Sequence, residues 1–321
     1  GILILAQYLI SFVIYLNVSN FKILDFLKKF YKKIIVFILF LFSFIYFLYP
    51  LYWLNPFLFV TAIQEMGRFY NDVCTNTLGT CMYAKDLPPT YIPIWLSVKL
   101  PFVILLGVLL LPLTEKKIFT NNKNNIFFGT ILTTSILIPL ILIFRNVTLY
   151  DELRHIMFLI PLIFILGIVS VYVFSKKIFY TLFFISISIF LVENIKIHPY
   201  QYVWFNLPSR AIDLTSKFEL EYQGISGKEI AKKISTMDHR ANCILVSPQH
   251  SVKPFLKRDR FNCFAQWQMI DTNYERPFLA VQHVRNLKKS MPYKCESIFE
   301  SGFNLLFHKK KFITGKLLEC T

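Results

Sequence analysis

The sequence predicts a multi-span α-helical membrane domain followed by a small soluble α/β domain, and three observations carry that prediction. First, the 321 residues are 55% hydrophobic and 17% aromatic, with a mean hydropathy of +0.50. A soluble core of this size has no use for so much apolar surface, and several apolar runs reach the roughly 20 residues that cross a bilayer. Second, lysine-rich links alternate with links rich in tyrosine and tryptophan between those runs, as cytoplasmic loops alternate with the opposite interface. Third, the long apolar runs stop near Glu193, and residues 194–321 have the mixed composition of a soluble domain. The formal charge of +16 does not signal nucleic acid. The lysines cluster beside apolar runs, as at cytoplasmic loops and anionic lipid surfaces, and no nucleic-acid module is present.

Residues 1–16 are the first expected span. The chain opens on Gly1 inside an apolar run, without a charged leader or a small-residue cleavage site. It therefore reads as a fragment of a larger membrane protein and not as a signal peptide. Residues 17–33 follow as a cytoplasmic loop, with Lys22, Lys28, Lys29, Lys32 and Lys33 against Asp25. Residues 34–53 are the second span and end in an aromatic belt of Tyr46, Tyr49, Tyr52 and Trp53. The external loop 54–91 is long enough to hold structure. Asn55-Pro56 is a helix start signal. Phe59, Ile63, Met66 and Tyr70 then share one helical face, while Gln64, Glu65 and Arg68 take others. An amphipathic helix flat on the outer leaflet and an ordinary packed loop helix both fit that pattern. Residues 92–113 are the third span, with Lys99 and Pro101 in its outer half. Residues 114–125 return to the cytoplasm, 126–144 form the fourth span and 145–155 an external lip. Residues 156–174 and 178–192, joined by a basic turn at Ser175, Lys176 and Lys177, complete six spans in residues 1–193.

In the soluble part, Ser226 and Glu229 have the spacing of a capping box ahead of Ile230, Ala231 and Ile234. Residues 243–246 and 278–281 read as buried strands, and 298–299 and 303–307 flank Ser301-Gly302 as a hairpin turn. All six cysteines, Cys74, Cys81, Cys243, Cys263, Cys295 and Cys320, fall in segments assigned to the outside. Disulfide pairing in an oxidising compartment would produce that partition. Cys74 and Cys81 form the natural local pair, and the other four allow three connectivities. Zinc is the rival, but no close Cys/His spacing supports it. His239, His250, His283 and His308 likewise lack metal spacing and read as surface or packing residues, so no metal or cofactor is expected. Asn146-Val147-Thr148 matches a glycosylation acceptor on the external lip, a triplet common by chance.

That lip carries the densest chemistry. Tyr150, Asp151, Glu152, Leu153, Arg154 and His155 run directly into an apolar span, where ionisable side chains are costly to hold and point to function. Adjacent Asp151 and Glu152 would not face each other on a helix, so they make a poor acid/base pair and a better orienting group for Arg154.

Three stretches resemble the multi-span GT-C type glycosyltransferases that take sugar from a polyprenyl-phosphate carrier, close to protein mannosyltransferases and bacterial aminoarabinose transferases. Leu87-Pro88-Pro89-Thr90-Tyr91-Ile92-Pro93-Ile94-Trp95, with Lys99 and Pro101 after it, looks like that family's entry into a late span. Tyr150-Asp151-Glu152-Leu153-Arg154-His155-Ile156-Met157-Phe158 is similar to its Tyr-Asp-x-x-Arg-His-x-x-Phe lip. His198-Pro199-Tyr200-Gln201-Tyr202-Val203-Trp204-Phe205-Asn206, then Phe218-Glu219-Leu220-Glu221-Tyr222-Gln223-Gly224, looks like its post-membrane signature. Gln223 stands where a Trp is common, and Leu207-Pro208 where a Gly-rich turn often follows. The resemblance spans roughly residues 49–235.

It implies glycosyl transfer onto a lipid, glycan or protein acceptor at the outer face, here of a bacterial inner membrane, with the C-terminal domain periplasmic. It places the catalytic carboxylate in a first external loop, upstream of Gly1. Departure of a lipid phosphate builds negative charge that a fixed cation stabilises, and an arginine fork suits two phosphate oxygens. Arg154 is the first candidate for the donor phosphate, His155 the second and Lys99 the third. Tyr150, Asp151, Glu152 and Tyr91 are candidates for orienting them, and Asp86 and Glu65 for touching sugar or acceptor hydroxyls. His198, Tyr200, Tyr202 and Trp204 are expected to seat the soluble domain on the membrane surface. Plainer roles stand beside these: Arg154 paired with Asp151 or Glu152 or reaching to headgroups, His155 packed, and Lys99 buried with a partner. A transporter or flippase, expected to show inverted repeats or broken midspan segments, and a non-catalytic assembly subunit are the rival classes.

Overall fold

A computed structural model describes residues 2–55, 57–68, 73–238, 240–246, 249–256, 261, 263–265, 277–284 and 294–321. Pro56, Tyr70 and His239 lie outside the described residues, as do the side chains of Ile63, Met66 and Arg68. A helical bundle leads into a five-stranded sheet.

Helices α1 (Ile2–Val18) and α2 (Ile23–Leu48) are joined by a short turn. The lysines at 28, 29, 32 and 33, expected in a loop, lie inside α2. Helical spacing of aromatic residues continues between them: the Phe26 ring packs 4.7 Å from both Phe12 and Phe30. The Lys29 ammonium lies 5.7 Å from the Phe21 ring centroid, so the charged heads reach out while their stems cover apolar surface. After α3 (Leu51–Leu54), the Asn55 side chain accepts the Phe57 N–H at 3.1 Å and α4 (Leu58–Arg68) begins. The expected loop helix is thus present. A hairpin that the sequence reading lacked follows, with β1 (Cys74–Thr77) antiparallel to β2 (Thr80–Tyr83). Its turn residues Leu78 and Gly79 both have positive φ, 53° and 87°, as a tight two-residue hairpin requires.

The expected third span is two helices. α5 (Tyr91–Lys99) and α6 (Phe102–Ile118) are bent by 120° at Leu100-Pro101. Proline forces the residue before it out of the helical region, and Leu100 is extended at φ −73°, ψ 139°. The chain continues through α7 (Asn122–Phe144), a 3-10 turn over Arg154–Leu159, α8 (Ile160–Phe174) and α9 (Lys176–Lys196). Ser175 alone separates α8 from α9 and accepts the Ile178 N–H. Among the described residues, four helices are long and apolar enough to cross a membrane, Ile23–Leu48, Asn122–Phe144, Arg154–Phe174 and Lys176–Lys196, with the bent α5–α6 pair a fifth at most. Six expected spans therefore become four or five among the described residues, because Pro101 breaks one run and α1 falls with the shorter apolar helices.

α6 and α8 cross backbone to backbone. A Cβ on Gly107 would sit 1.9 Å from the Gly167 carbonyl oxygen, and one on Gly167 would sit 2.8 Å from that of Ile104. Small residues admit such close approach of helices in lipid.

The soluble domain has strand order β4-β3-β5-β7-β6. β3 (Cys243–Val246) runs parallel to β4 (Cys263–Ala265) and β5 (Phe278–His283), and β7 (Phe312–Cys320) is antiparallel to β5 and β6 (Cys295–Phe303). The short helices α10 (Leu214–Lys217) and α11 (Ser226–Thr236) precede the sheet. Ile230, Ala231 and Ile234 of α11 pack in one core with Ile244, Leu279 and Leu317. Ser301-Gly302 is not the hairpin turn. It lies within β6 at an irregular register, where a Cβ on Gly302 would meet the Phe312 carbonyl oxygen at 2.0 Å. The expected capping box is also absent. Ser226 bonds to His283 and the Thr314 carbonyl, and Glu229 to Ser301 and Tyr200.

The cysteines pair as Cys74–Cys81, Cys243–Cys263 and Cys295–Cys320, with Cα separations of 5.4, 4.7 and 4.1 Å. The last two pairs join residues directly opposite on neighbouring strands. Sheet order therefore selects the connectivity that sequence left open.

Gly107→Ala should lower the thermal midpoint in detergent and broaden the size-exclusion peak. Gly129→Ala, whose new Cβ meets only the Ile14 side chain at 3.7 Å, should leave both unchanged.

Candidate functional site

The lip is held from behind by residues of three separate segments, β1, α5 and the stretch after α9. Thr75 of β1 accepts the Asp151 N–H at 3.2 Å, and the Tyr91 hydroxyl donates to the Glu152 carbonyl at 3.4 Å. Asp151 and Glu152 adopt left-handed backbone, φ 56° and 64°, which is uncommon outside glycine and gathers at functional sites. That conformation, not a helix, turns the two carboxylates apart.

Glu152 faces inward, its Oε2 2.7 Å from Lys99 Nζ with both side chains almost fully buried. The ammonium also donates to the Tyr202 carbonyl at 3.3 Å and rests 4.2 Å from the Phe205 ring centroid. Lys99 thus takes the buried, partnered role. Asp151 is buried as well, and its Oδ2 lies 3.4 Å from Nη1 of the exposed Arg154. The Arg154 side chain is 53% exposed, so one carboxylate orients the guanidinium while the rest of its fork stays accessible. His155 stands beside it, also exposed, its ring edge-on to Tyr150 at 4.5 Å. Asp86 lies exposed in the turn after β2 and Glu65 exposed on α4.

The post-membrane segment braces this lip. The Asn206 amide donates to the carbonyls of Ser97 at 2.6 Å and Leu100 at 2.7 Å, and its backbone N–H to Val98 at 2.9 Å, so it holds the α5–α6 corner. Trp95 donates to Thr77 Oγ1 at 3.0 Å and packs edge-on against Phe218 at 5.2 Å. The Tyr202 hydroxyl donates to Glu221, whose Oε1 also accepts the N–H groups of Gln223 and Gly224, both at 2.6 Å. Burial, with the charges of Glu152 and Asp151 behind it, raises the Tyr222 phenol above its usual range. Among the described residues, Glu152 Oε1 and Glu221 Oε2 are buried without a hydrogen bond.

Of the four residues expected to seat the domain on the lipid surface, one is buried, two are half-buried with partners inside the protein, and one is exposed. Tyr200 is buried with its ring stacked on Phe303 at 5.3 Å, Tyr202 is tied to Glu221, and Trp204 donates to Glu193 at 2.7 Å. Only His198 is exposed. Their partners come from the sheet domain and α9, which offer hydrogen bonds that headgroups would otherwise supply.

Sequence reasoning also missed the pair that anchors the domain. Glu193, in the last turn of α9, meets Arg210 at 2.5 Å and 2.9 Å through both oxygens. Arg210 further donates to the carbonyls of Phe205 and Leu306, and the Leu306 N–H returns to Glu193 at 3.0 Å. An acid closing an apolar run was the one visible signal. His283 is buried between Ser226 and Ser251, His250 is exposed, and His308 Nδ1 donates to the Lys310 carbonyl at 3.0 Å. No group of three or more potential metal ligands forms among the described residues.

Compared with known proteins, the chain matches no family model, no curated protein and no solved structure.

Two outcomes follow from these charges. Removing one member of a buried ion pair strands the other, so Arg210→Ala should cost about 3–5 kcal/mol of unfolding free energy in denaturant titrations. For Glu152, burial outweighs the nearby ammonium and lifts the carboxyl from 4.5 to about 7. The unfolded chain then releases this proton near pH 4.5 and the folded chain near pH 7. Its contribution to stability is present in full below pH 4.5 and fades as pH rises through 7. His283 works oppositely: burial lowers it from 6.5 to about 4, so its contribution holds above pH 6.5 and is lost as pH falls through 4. Thermal unfolding of the native chain minus that of Glu152→Gln isolates the carboxyl, and the difference should shrink between pH 4.5 and 7.

Proposed function

We propose that this chain is the C-terminal part of a GT-C type membrane glycosyltransferase, moving a sugar from a polyprenyl-phosphate-linked donor to an acceptor at the outer membrane face. One observation carries the reading. The three stretches that resemble the family, far apart in sequence, converge on the buried Lys99–Glu152 pair and leave Arg154 and His155 exposed beside it. A motif set that matched by chance would have no reason to meet.

In the proposed reaction the acceptor oxygen attacks the anomeric carbon as the bond to the lipid phosphate breaks. The acceptor proton goes to a carboxylate, which the family resemblance puts in a first external loop. Negative charge grows on the departing phosphate, and Arg154 stabilises it more in the transition state than in the ground state. Asp151 holds the guanidinium in register from one side. Lys99 and Glu152 act as the rigid backing that keeps the strained lip in place.

The α5–α6 break would favour a transporter if it lay at midspan. Asn206, from the stretch after α9, grips that corner, which supports a break near the end of the apolar run and so the enzyme.

In the full-length enzyme, Arg154→Ala should lower kcat/KM by about 10²–10³, the usual effect of removing one donor from a developing oxyanion. Arg154→Lys should recover part of the loss. Unchanged turnover together with unchanged affinity for polyprenyl phosphate would remove Arg154 from the reaction.

A further inference from the structure

A broad open groove of about 1110 Å³ lies where the end of α9 meets the sheet domain, and the transferase reading makes no use of it. Lys196 and His198, Lys228 and Lys232 of α11, and the apolar Phe255 and Phe303 are among its lining residues. α11 buries Ile230, Ala231 and Ile234, so Lys228 and Lys232, one turn apart, stand together on its other face. The Lys228 ammonium lies 6.0 Å from the Phe255 ring centroid. Among the described residues, no carboxylate pairs with Lys196, Lys228 or Lys232. The one acid in the lining, Glu229, is engaged by the Ser301 and Tyr200 hydroxyls. Three ammonium groups therefore outnumber one carboxylate, whose Oε2 already accepts both hydroxyls.

Position selects the ligand class. Lys196 is the last residue of a helix apolar enough to cross a membrane, and the Ile195 before it is 80% exposed. A lysine there stands at headgroup level. An exposed Phe255 beside the ammonium groups adds a surface that a free inorganic anion would not use. We propose that this groove binds the phosphate-bearing headgroup of an anionic lipid. The phosphate lies among Lys196, Lys228 and Lys232, and the apolar neck of the lipid lies against Phe255. The site does not involve Arg154 and stands whether or not the chain transfers sugar.

The test titrates the whole chain, in neutral detergent, with short-chain phosphatidylglycerol, short-chain phosphatidylcholine and glycerol phosphate, reading bound ligand by native mass spectrometry. Phosphatidylglycerol should bind most tightly. The variant Lys196→Ala/Lys228→Ala/Lys232→Ala should lose at least about tenfold of that affinity, since each basic group near an anionic lipid contributes to binding. A charge-matched control, Lys217→Ala/Lys253→Ala/Lys309→Ala, should retain it. No preference for phosphatidylglycerol, or equal losses in both triple variants, overturns the proposal. Glycerol phosphate binding as tightly as phosphatidylglycerol would make the groove a site for a soluble anion and overturn the lipid assignment.

Discussion

The two-pronged pair between Glu193 and Arg210 fixes where the sheet domain sits on the helical bundle. Burying two opposite charges costs several kcal/mol per ion unless the remaining hydrogen-bond sites are filled, and here they are filled by the protein itself. Trp204 and the Leu306 N–H donate to the carboxylate, and the carbonyls of Phe205 and Leu306 accept from the guanidinium. Those partners belong to the last turn of α9, the stretch after it, the short turn holding Arg210 and the link between β6 and β7. A lysine in place of Arg210 could not reach so many acceptors in one plane. The joint is accordingly a rigid corner and not a tether.

With that corner set, the chain between Trp204 and Asn206 has little freedom, and its side chains reach back into the bundle. Phe205 packs beneath Lys99, and Asn206 satisfies the carbonyls that Pro101 leaves open at the end of α5. Lys99 is thereby held where Glu152 meets it, with the Glu152 backbone in the left-handed region. The exposed Arg154 and His155 at the lip are thus the last link of a chain of contacts that starts at the domain joint. Strain at Asp151 and Glu152 persists because the hairpin, α5 and the post-membrane segment surround them.

Much of this was visible in the residues. The long apolar runs identified the membrane-length helices, since hydrogen-bonded helices are the economical way to hide backbone polar groups in hydrocarbon. The family-like stretches marked the residues of the lip. What misled was local inference at places where a distant partner intervened. Ser226 and Glu229 have capping spacing, but His283, Thr314, Ser301 and Tyr200 take their side chains. Ser301-Gly302 has the composition of a turn, yet the glycine serves the close approach of β7. The aromatic residues after α9 look like an interfacial belt, but most have partners within the protein. Pro101 announced a break that the apolar composition around it concealed.

By itself, the sequence determined that the chain carries membrane-length helices ahead of a cysteine-bearing α/β part, because hydropathy and periodicity are properties of neighbouring residues. It also placed all six cysteines in non-membrane segments. Only the tertiary structure decided which cysteines pair, how α5 and α6 bend, and which charges are buried together and which remain exposed. Lys99 with Glu152, and Glu193 with Arg210, are contacts across long stretches of chain, and their electrostatics depend on separations of a few ångströms that no local pattern encodes.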